Sequence, residues 1–107
     1  MSVGLYKYNG DIYHDAKEIL SENIASQRIY EKYLKPAIKE LNIYYFQDGG
    51  EIKKENLDSV IVELESLIKW IKDNVEGSER EYLIRNLENS KKVILESAKQ
   101  DGVFYIF

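Results

Sequence analysis

The stretch that most constrains the fold of this chain runs from Lys53 to Val75. Its apolar residues recur at steps of three and four, the spacing that places side chains on one face of an α-helix. The residues of this stripe are Leu57, Val60, Ile61, Leu64, Leu67, Ile68, Ile71 and Val75. No other segment has so long and regular an apolar face, so we expect the rest of the chain to pack on this helix. The stripe itself carries no chemistry.

The start of the chain predicts a β-hairpin. Residues Val3–Tyr8 alternate and are rich in aromatic and β-branched types, and an Asn-Gly pair follows them. Asn-Gly is the strongest short hairpin signal, because a two-residue type I′ turn needs positive φ at both central positions. We therefore predict strands over Val3–Tyr8 and Asp11–His14, with Tyr6 opposite Tyr13.

Helical spacing begins at Asp15, a candidate N-cap residue. The apolar residues that fit one face of this first predicted helix are Ala16, Ile19, Leu20 and Ile24. Ser26 then breaks the chain or caps a second helix, whose apolar face is Ile29, Tyr30, Tyr33, Leu34, Ala37, Ile38 and Leu41. Pro36 lies inside this second pattern and is predicted to kink the helix or to start a new one, because it has no N–H to donate.

The run Ile43–Phe46 supports two interpretations. Its composition favours a strand, but Tyr45 continues the helical face of the preceding segment. We favour a helix that continues through the run and ends at Gly49-Gly50, since glycine is a natural C-terminal stop. Asp48-Gly49-Gly50 is then the loop that leads into the central helix.

The last third of the chain predicts one more helix and a closing strand. Gly77 is expected to end the central helix, and Ser78 with Glu81 forms a capping-box pattern for the next one. That helix presents Leu83, Ile84, Leu87, Ile94 and Ala98 on one face. After Gly102, a predicted helix stop, the residues Val103–Phe107 are apolar enough for a strand that is buried on both faces.

These elements predict a single α+β domain over residues 1–107. A lone hairpin is marginal in water and Val103–Phe107 requires burial, so both should share a small antiparallel sheet packed against three to four helices. The chain is long enough for one core and short for two. Its hydrophobic content of 44% is that of an ordinary globular protein.

Composition argues against several function classes. The chain has no cysteine, which excludes disulfides and thiolate metal sites. Its net charge of −4 argues against direct binding of nucleic acid. The apolar runs are far shorter than a membrane span and the N-terminus lacks a secretion signal, so we expect a cytoplasmic protein with no membrane association.

Candidate catalytic groups are sparse. His14 is the only histidine, and a general base or metal ligand needs partner groups that do not accompany it. We therefore predict a structural role for His14, no enzymatic activity, and no metal or cofactor. Trp70 lies beside the central stripe and is expected to cover the edge of the core rather than to anchor a partner.

Acidic residues concentrate in two stretches. They are Asp48, Glu51, Glu55, Asp58, Glu63 and Glu65, then Asp73, Glu76, Glu79 and Glu81. Such a run is usually a solvated helix face, and the carboxylates near a helix start also interact favourably with its dipole. The sharper alternative is a patch that binds a basic protein partner.

A family resemblance is carried by two passages. The start of the chain, Met1–Leu5 followed by Ile12-Tyr13, is similar to that of small bacterial immunity proteins of polymorphic-toxin and contact-dependent inhibition systems. The glycine-then-helix passage also resembles theirs, with Gly50-Glu51-Ile52, Leu57, Glu63-Leu64 and Ile68. A hairpin, two or three helices and a closing β-prone segment match the same group.

The resemblance implies a non-enzymatic inhibitor. Such a protein would bind one cognate toxin domain, often a nuclease, in the cytoplasm, and would block its active site or substrate groove. The negative charge of the chain suits a basic nuclease domain. The alternative is a small non-enzymatic adaptor or regulatory protein, which could be dimeric and whose partner is not a toxin.

We expect the partner to bind around the Gly-Gly loop and the first turns of the central helix. Acidic residues are dense there, whereas the preceding helix is locally basic, and a glycine-bearing loop can approach a partner backbone closely. The expected contact residues are Asp48, Glu51, Glu55 and Asp58, with Tyr44 or Tyr45 as an aromatic anchor.

Overall fold

The computed structural model describes residues 1–9, 17–97 and 102–107, with no side-chain description for residues 9 and 17–19. The strands are β1 (Ser2–Asn9), β2 (Lys17–Ser26), β3 (Glu51–Ile52) and β4 (Val103–Ile106). The helices are α1 (Gln27–Ile29), α2 (Lys35–Leu41), α3 (Leu57–Asn74) and α4 (Gly77–Glu96), with a π-helical turn at Tyr30–Leu34 and a 3₁₀ turn at Lys54–Asn56. This composition confirms the predicted α+β class.

The four strands form one sheet in the order β2-β1-β4-β3, with every neighbouring pair antiparallel. The closing strand pairs with β1, as predicted, and also with β3, a short strand that the sequence did not predict. Phe104 and Ile106 are buried, while Val103 and Tyr105 are only half-buried. Burial on both faces is thus wrong for β4, because the helices cover one face of the sheet.

The segment predicted as the first helix is a strand. Lys17–Ser26 pairs along β1, and the register shifts between Val3 and Gly4, which leaves Ile24 as an extra residue in β2. Tyr6 lies opposite Ser21, so the expected Tyr6–Tyr13 pair is wrong. The predicted turn at Gly10, the strand Asp11–His14 and the N-cap Asp15 lie outside the described residues.

Residues 27–41 form one continuous helical segment that contains α1, the π-turn and α2. Ser26 caps it, since its hydroxyl accepts the Ile29 N–H at 3.3 Å. The Lys35 N–H donates to the Tyr30 carbonyl, five residues back, and Pro36 follows in the first turn of α2. A proline is tolerated in a first turn, and the widened turn before it keeps the segment continuous. Leu34, the residue before α2, is itself helical and makes no side-chain cap, so the segment runs on across Pro36 and no separate helix starts there.

The apolar stripe of α3 forms the centre of the core, as predicted. Val60, Leu64, Leu67 and Ile71 are fully buried, and the inward face of α4 packs against them. Leu83, Leu87 and Ile94 of that face are fully buried too, while Ala98 lies outside the described residues.

The junction between α3 and α4 differs from the prediction. The helix α3 ends at Asn74, before Gly77, and Gly77 is the first residue of α4 with a φ of +72°. Glu76 occupies the N-cap position with no side-chain hydrogen bond, so the expected capping box at Ser78 does not form. The chain turns here through the extended backbone of Val75 and Glu76.

Candidate protein-binding loop

The segment after α2 is a loop, and the predicted helix over Ile43–Phe46 is wrong. Asn42 adopts a left-handed conformation with φ +56°, and its N–H donates to the carbonyls of Ile38 and Lys39. Asparagine is one of the few residues other than glycine that stops a helix in this way. The residue that marks the end of the helix in the sequence is therefore Asn42, directly after Leu41, and not Gly49 or Gly50.

A single carboxylate of α3 shapes this loop. Glu63 accepts the backbone N–H groups of Tyr44 at 2.7 Å, Tyr45 at 3.1 Å and Phe46 at 3.0 Å. These three donors would have bonded within a helix if the helix had continued. Sequence reasoning counted Glu63 only as one member of an acidic stretch. The one feature of the sequence that distinguishes Glu63 is its place beside Leu64, at the border of the apolar stripe.

The far end of the loop is bonded to the sheet and to the π-turn. Gly49 N–H donates to the carbonyl of Ile106 at 2.7 Å, and Ile106 N–H donates to the carbonyl of Gly50 at 3.0 Å. Asp48 N–H donates to the hydroxyl of Tyr30 at 2.8 Å, and burial raises the pKa of that hydroxyl. The loop is therefore fixed at both ends before any partner arrives.

Only glycine fits at position 50. A Cβ atom there would lie 2.1 Å from the Tyr45 carbonyl oxygen, a backbone atom that cannot move aside. Tyr45 is itself held, because its hydroxyl accepts a hydrogen bond from the Asn56 side chain at 3.2 Å. The two arms of the loop thus pack against each other backbone to backbone.

Four of the six residues expected to contact a partner surround one hollow of about 450 Å³. They are Tyr44, Tyr45, Asp48 and Glu51. Tyr44 is 72% exposed, and its ring meets that of Tyr45 edge to face with 4.8 Å between centroids. The exposed side chains of Asp48 and Glu51 lie at the same opening. This arrangement combines an exposed aromatic ring with negative charge.

The other two expected residues, Glu55 and Asp58, are exposed but do not line the hollow. They belong to the 3₁₀ turn and to the first turn of α3. Two lysines interrupt the acidic stretch, and Lys53 lies 3.9 Å from the Glu51 carboxylate. The surface is therefore less negative than the acidic residues alone suggested.

Two further candidate residues of the sequence are Trp70 and His14. Trp70 is half-buried and its indole N–H donates to the Glu40 carboxylate, which fits the expected place at the edge of the core. His14 lies outside the described residues. Within the described ranges, no group of three or more histidine, aspartate or glutamate side chains could hold a metal ion. Of the helices described, none has the length and apolarity needed to cross a bilayer.

Comparison with protein families, with curated proteins and with solved structures finds no match to this chain. The geometry of the loop and the charge around it are thus the observations from which a function can be argued.

Proposed function

We propose that this protein is an immunity-type inhibitor that binds the basic domain of a cognate bacterial toxin, in keeping with the resemblance of its sequence. The observation that carries the proposal is the loop 43–50, which is exposed at its tip and held by hydrogen bonds at its base. The partner would be a toxin domain such as a nuclease, and binding would block its active site or substrate groove in the cytoplasm. No catalytic step on this chain is required.

The loop has the properties of a preorganised binding surface. Ordering a mobile segment on binding opposes association, and a loop that is already fixed avoids that loss. Tyr44 offers a large aromatic side chain at low entropic cost. Asp48 and Glu51 beside it would attract a basic surface and speed the encounter. These properties support protein binding more directly than they support any chemistry at the loop.

The test uses the protein encoded immediately upstream, co-expressed and co-purified with this chain. Reversing the charges of Glu51, Glu55 and Asp58 to lysine should slow association with the toxin domain about tenfold at low salt. High salt should shrink the difference, since screening weakens exposed charges. Stopped-flow or surface-plasmon measurements at two salt concentrations give both numbers.

The matched control reverses Asp73, Glu76 and Glu81, which are equally exposed and belong to the second acidic stretch. It should leave the association rate within about twofold of wild type. If the control slows binding and the first triple variant does not, the interface lies at the second stretch. A co-purifying partner with no toxic activity would instead favour the adaptor function.

A further inference from the structure

A second concave surface lies on the other side of the loop. It is a groove of about 630 Å³ between α2 and residues 42–47. Its apolar lining includes Pro36, Ile38 and Ile43. Gln47 lines both this groove and the acidic hollow, so the two surfaces are contiguous. A partner seated on the loop would therefore reach the groove.

The rim of this groove carries two lysines and one glutamate, Glu31, so its net charge is positive. Lys35 and Lys39 line it, one helical turn apart, and both are exposed. Neither makes an ion pair with any described residue. Like charges four residues apart on a helix repel each other. A negative charge bound near Lys35 and Lys39 would reduce this repulsion.

The first half of the same helical segment shows the contrast. Arg28 and Lys32 each lie 3.7 Å from the Glu79 carboxylate. Glu79 belongs to α4, so the structure supplies a counter-charge for the first pair of bases and none for the second. The unpaired charges are the ones that flank an apolar groove.

We infer that the groove binds an acidic amphipathic segment of the partner protein. An apolar side chain of that segment would cover the exposed Pro36 and the small exposed parts of Ile38 and Ile43, which are 8% and 7% exposed. Its carboxylates would pair with Lys35 and Lys39. The inference rests on the proposed function only in taking the partner to be a protein. It adds that the partner must present two opposite charges, a basic surface to the loop and an acidic segment to the groove.

The positive rim and the apolar floor of the groove together favour an acidic amphipathic segment over other ligands. A basic segment would meet two lysines, and a free phosphate or nucleic acid would gain nothing from the apolar floor. Glu31 is the one acidic residue on the rim. A carboxylate of the partner placed near Lys35 and Lys39 therefore avoids the side of the groove that carries Glu31.

The experiment selects peptides from a displayed library of random 16-residue sequences on the whole protein. Enriched peptides are then measured by fluorescence anisotropy. We expect a class of peptides that combines Asp or Glu with large apolar residues. The double variant Lys35→Glu/Lys39→Glu should weaken these peptides about tenfold, the sum of two exposed ion pairs of modest strength. Glu31→Lys should tighten them by a few fold.

The matched control is Lys69→Glu/Lys72→Glu, which makes the same change of charge at exposed positions of α3 that line a different hollow. It should leave peptide affinity unchanged. The inference is overturned if no enriched class is acidic, if Lys35→Glu/Lys39→Glu has no effect, or if the control weakens binding equally. The loop variant Glu51→Lys/Glu55→Lys/Asp58→Lys should still bind these peptides, so failure of the groove and failure of the proposed function are separate results.

Discussion

The loop 43–50 and the first turn of α4 are each held by one carboxylate, but the partners of the two carboxylates differ in kind. Glu63 accepts three backbone N–H groups within a single short loop. Glu79 accepts the hydroxyl of Tyr33 at 2.7 Å and lies near Arg28 and Lys32, all from the 27–41 segment. One carboxylate gives a loop its shape, whereas the other joins two helices that are already formed.

The difference predicts how each region responds to a lost carboxylate. The side chains that meet Glu79 can turn toward water, because two of them are long, exposed cations. The backbone donors that meet Glu63 cannot turn without changing the path of the loop, and an unpaired N–H is costly. The shape of the loop 43–50 therefore depends on Glu63. The packing of α4 on the 27–41 segment depends only in part on Glu79.

The largest effect should come from a change that leaves both carboxylates in place. Leu64 is fully buried beside Glu63, and Leu64→Ala should lower the free energy of unfolding by about 2–5 kcal/mol. Denaturant unfolding measures it. The control is Val62→Ala on the same helix, which is 63% exposed and should change stability by less than about 0.5 kcal/mol. A loss under about 1 kcal/mol for Leu64→Ala would mean that the stripe is not the core.

Removal of the loop anchor should have an intermediate effect. Glu63→Ala leaves three N–H groups without their acceptor, and we expect a loss of about 1–3 kcal/mol. Amide exchange of residues 44–46 should also become faster, while exchange in the buried part of α3 follows global stability. Glu65→Ala is the control, since Glu65 is exposed and, among the described residues, its ion-pair partner is Lys91 at 3.3 Å. Equal effects of the two variants would contradict the role given to Glu63.

The smallest effect should come from Glu79→Gln, and it should depend on pH. The hydrogen bond from Tyr33, with Lys32 and Arg28 nearby, holds the pKa of Glu79 below its ordinary value of 4.5. Because the folded pKa is the lower one, this stabilisation is complete above the ordinary value and is lost as the pH falls through the folded value.

The measurement compares the thermal midpoints of wild type and Glu79→Gln from about pH 7 down to about pH 3. The variant should be slightly less stable at the higher pH, and the gap should close in acid. Glu81→Gln, which removes the charge of an exposed carboxylate two residues further on, is the matched control. A gap for Glu79→Gln that widens in acid would reverse the sign and refute the explanation.

The sequence predicted the parts of the fold that depend on one regular pattern. The α3 stripe was predicted from its helical spacing and the closing strand from its apolar composition. Both elements are where they were expected. The helix predicted over segment 17–26 was wrong because the apolar residues up to Ile24 happen to lie at helical spacing. In the structure the extra residue of a bulge displaces the period-two pattern. Pairing with β1 overrides local preference there.

The sequence grouped the candidate residues but did not show what shapes their surroundings. The sequence placed Tyr44, Tyr45, Asp48 and Glu51 in one neighbourhood, and the structure brings them around one hollow. It could not show that Glu63 shapes that neighbourhood, because a carboxylate that accepts backbone donors looks in sequence like any solvated one. Glu63 differs from a solvated carboxylate only because the helix ends at Asn42, which leaves the following N–H groups without helical acceptors.

The central position of β4 has a consequence for the time at which the loop 43–50 takes its shape. Leu5 pairs with Ile106, and this contact must close a very long stretch of chain before neighbouring contacts can stabilise it. The same strand accepts the N–H of Gly49, so the loop cannot reach its final shape earlier. A newly synthesised molecule would thus complete the hollow beside the loop only after β4 has joined the sheet.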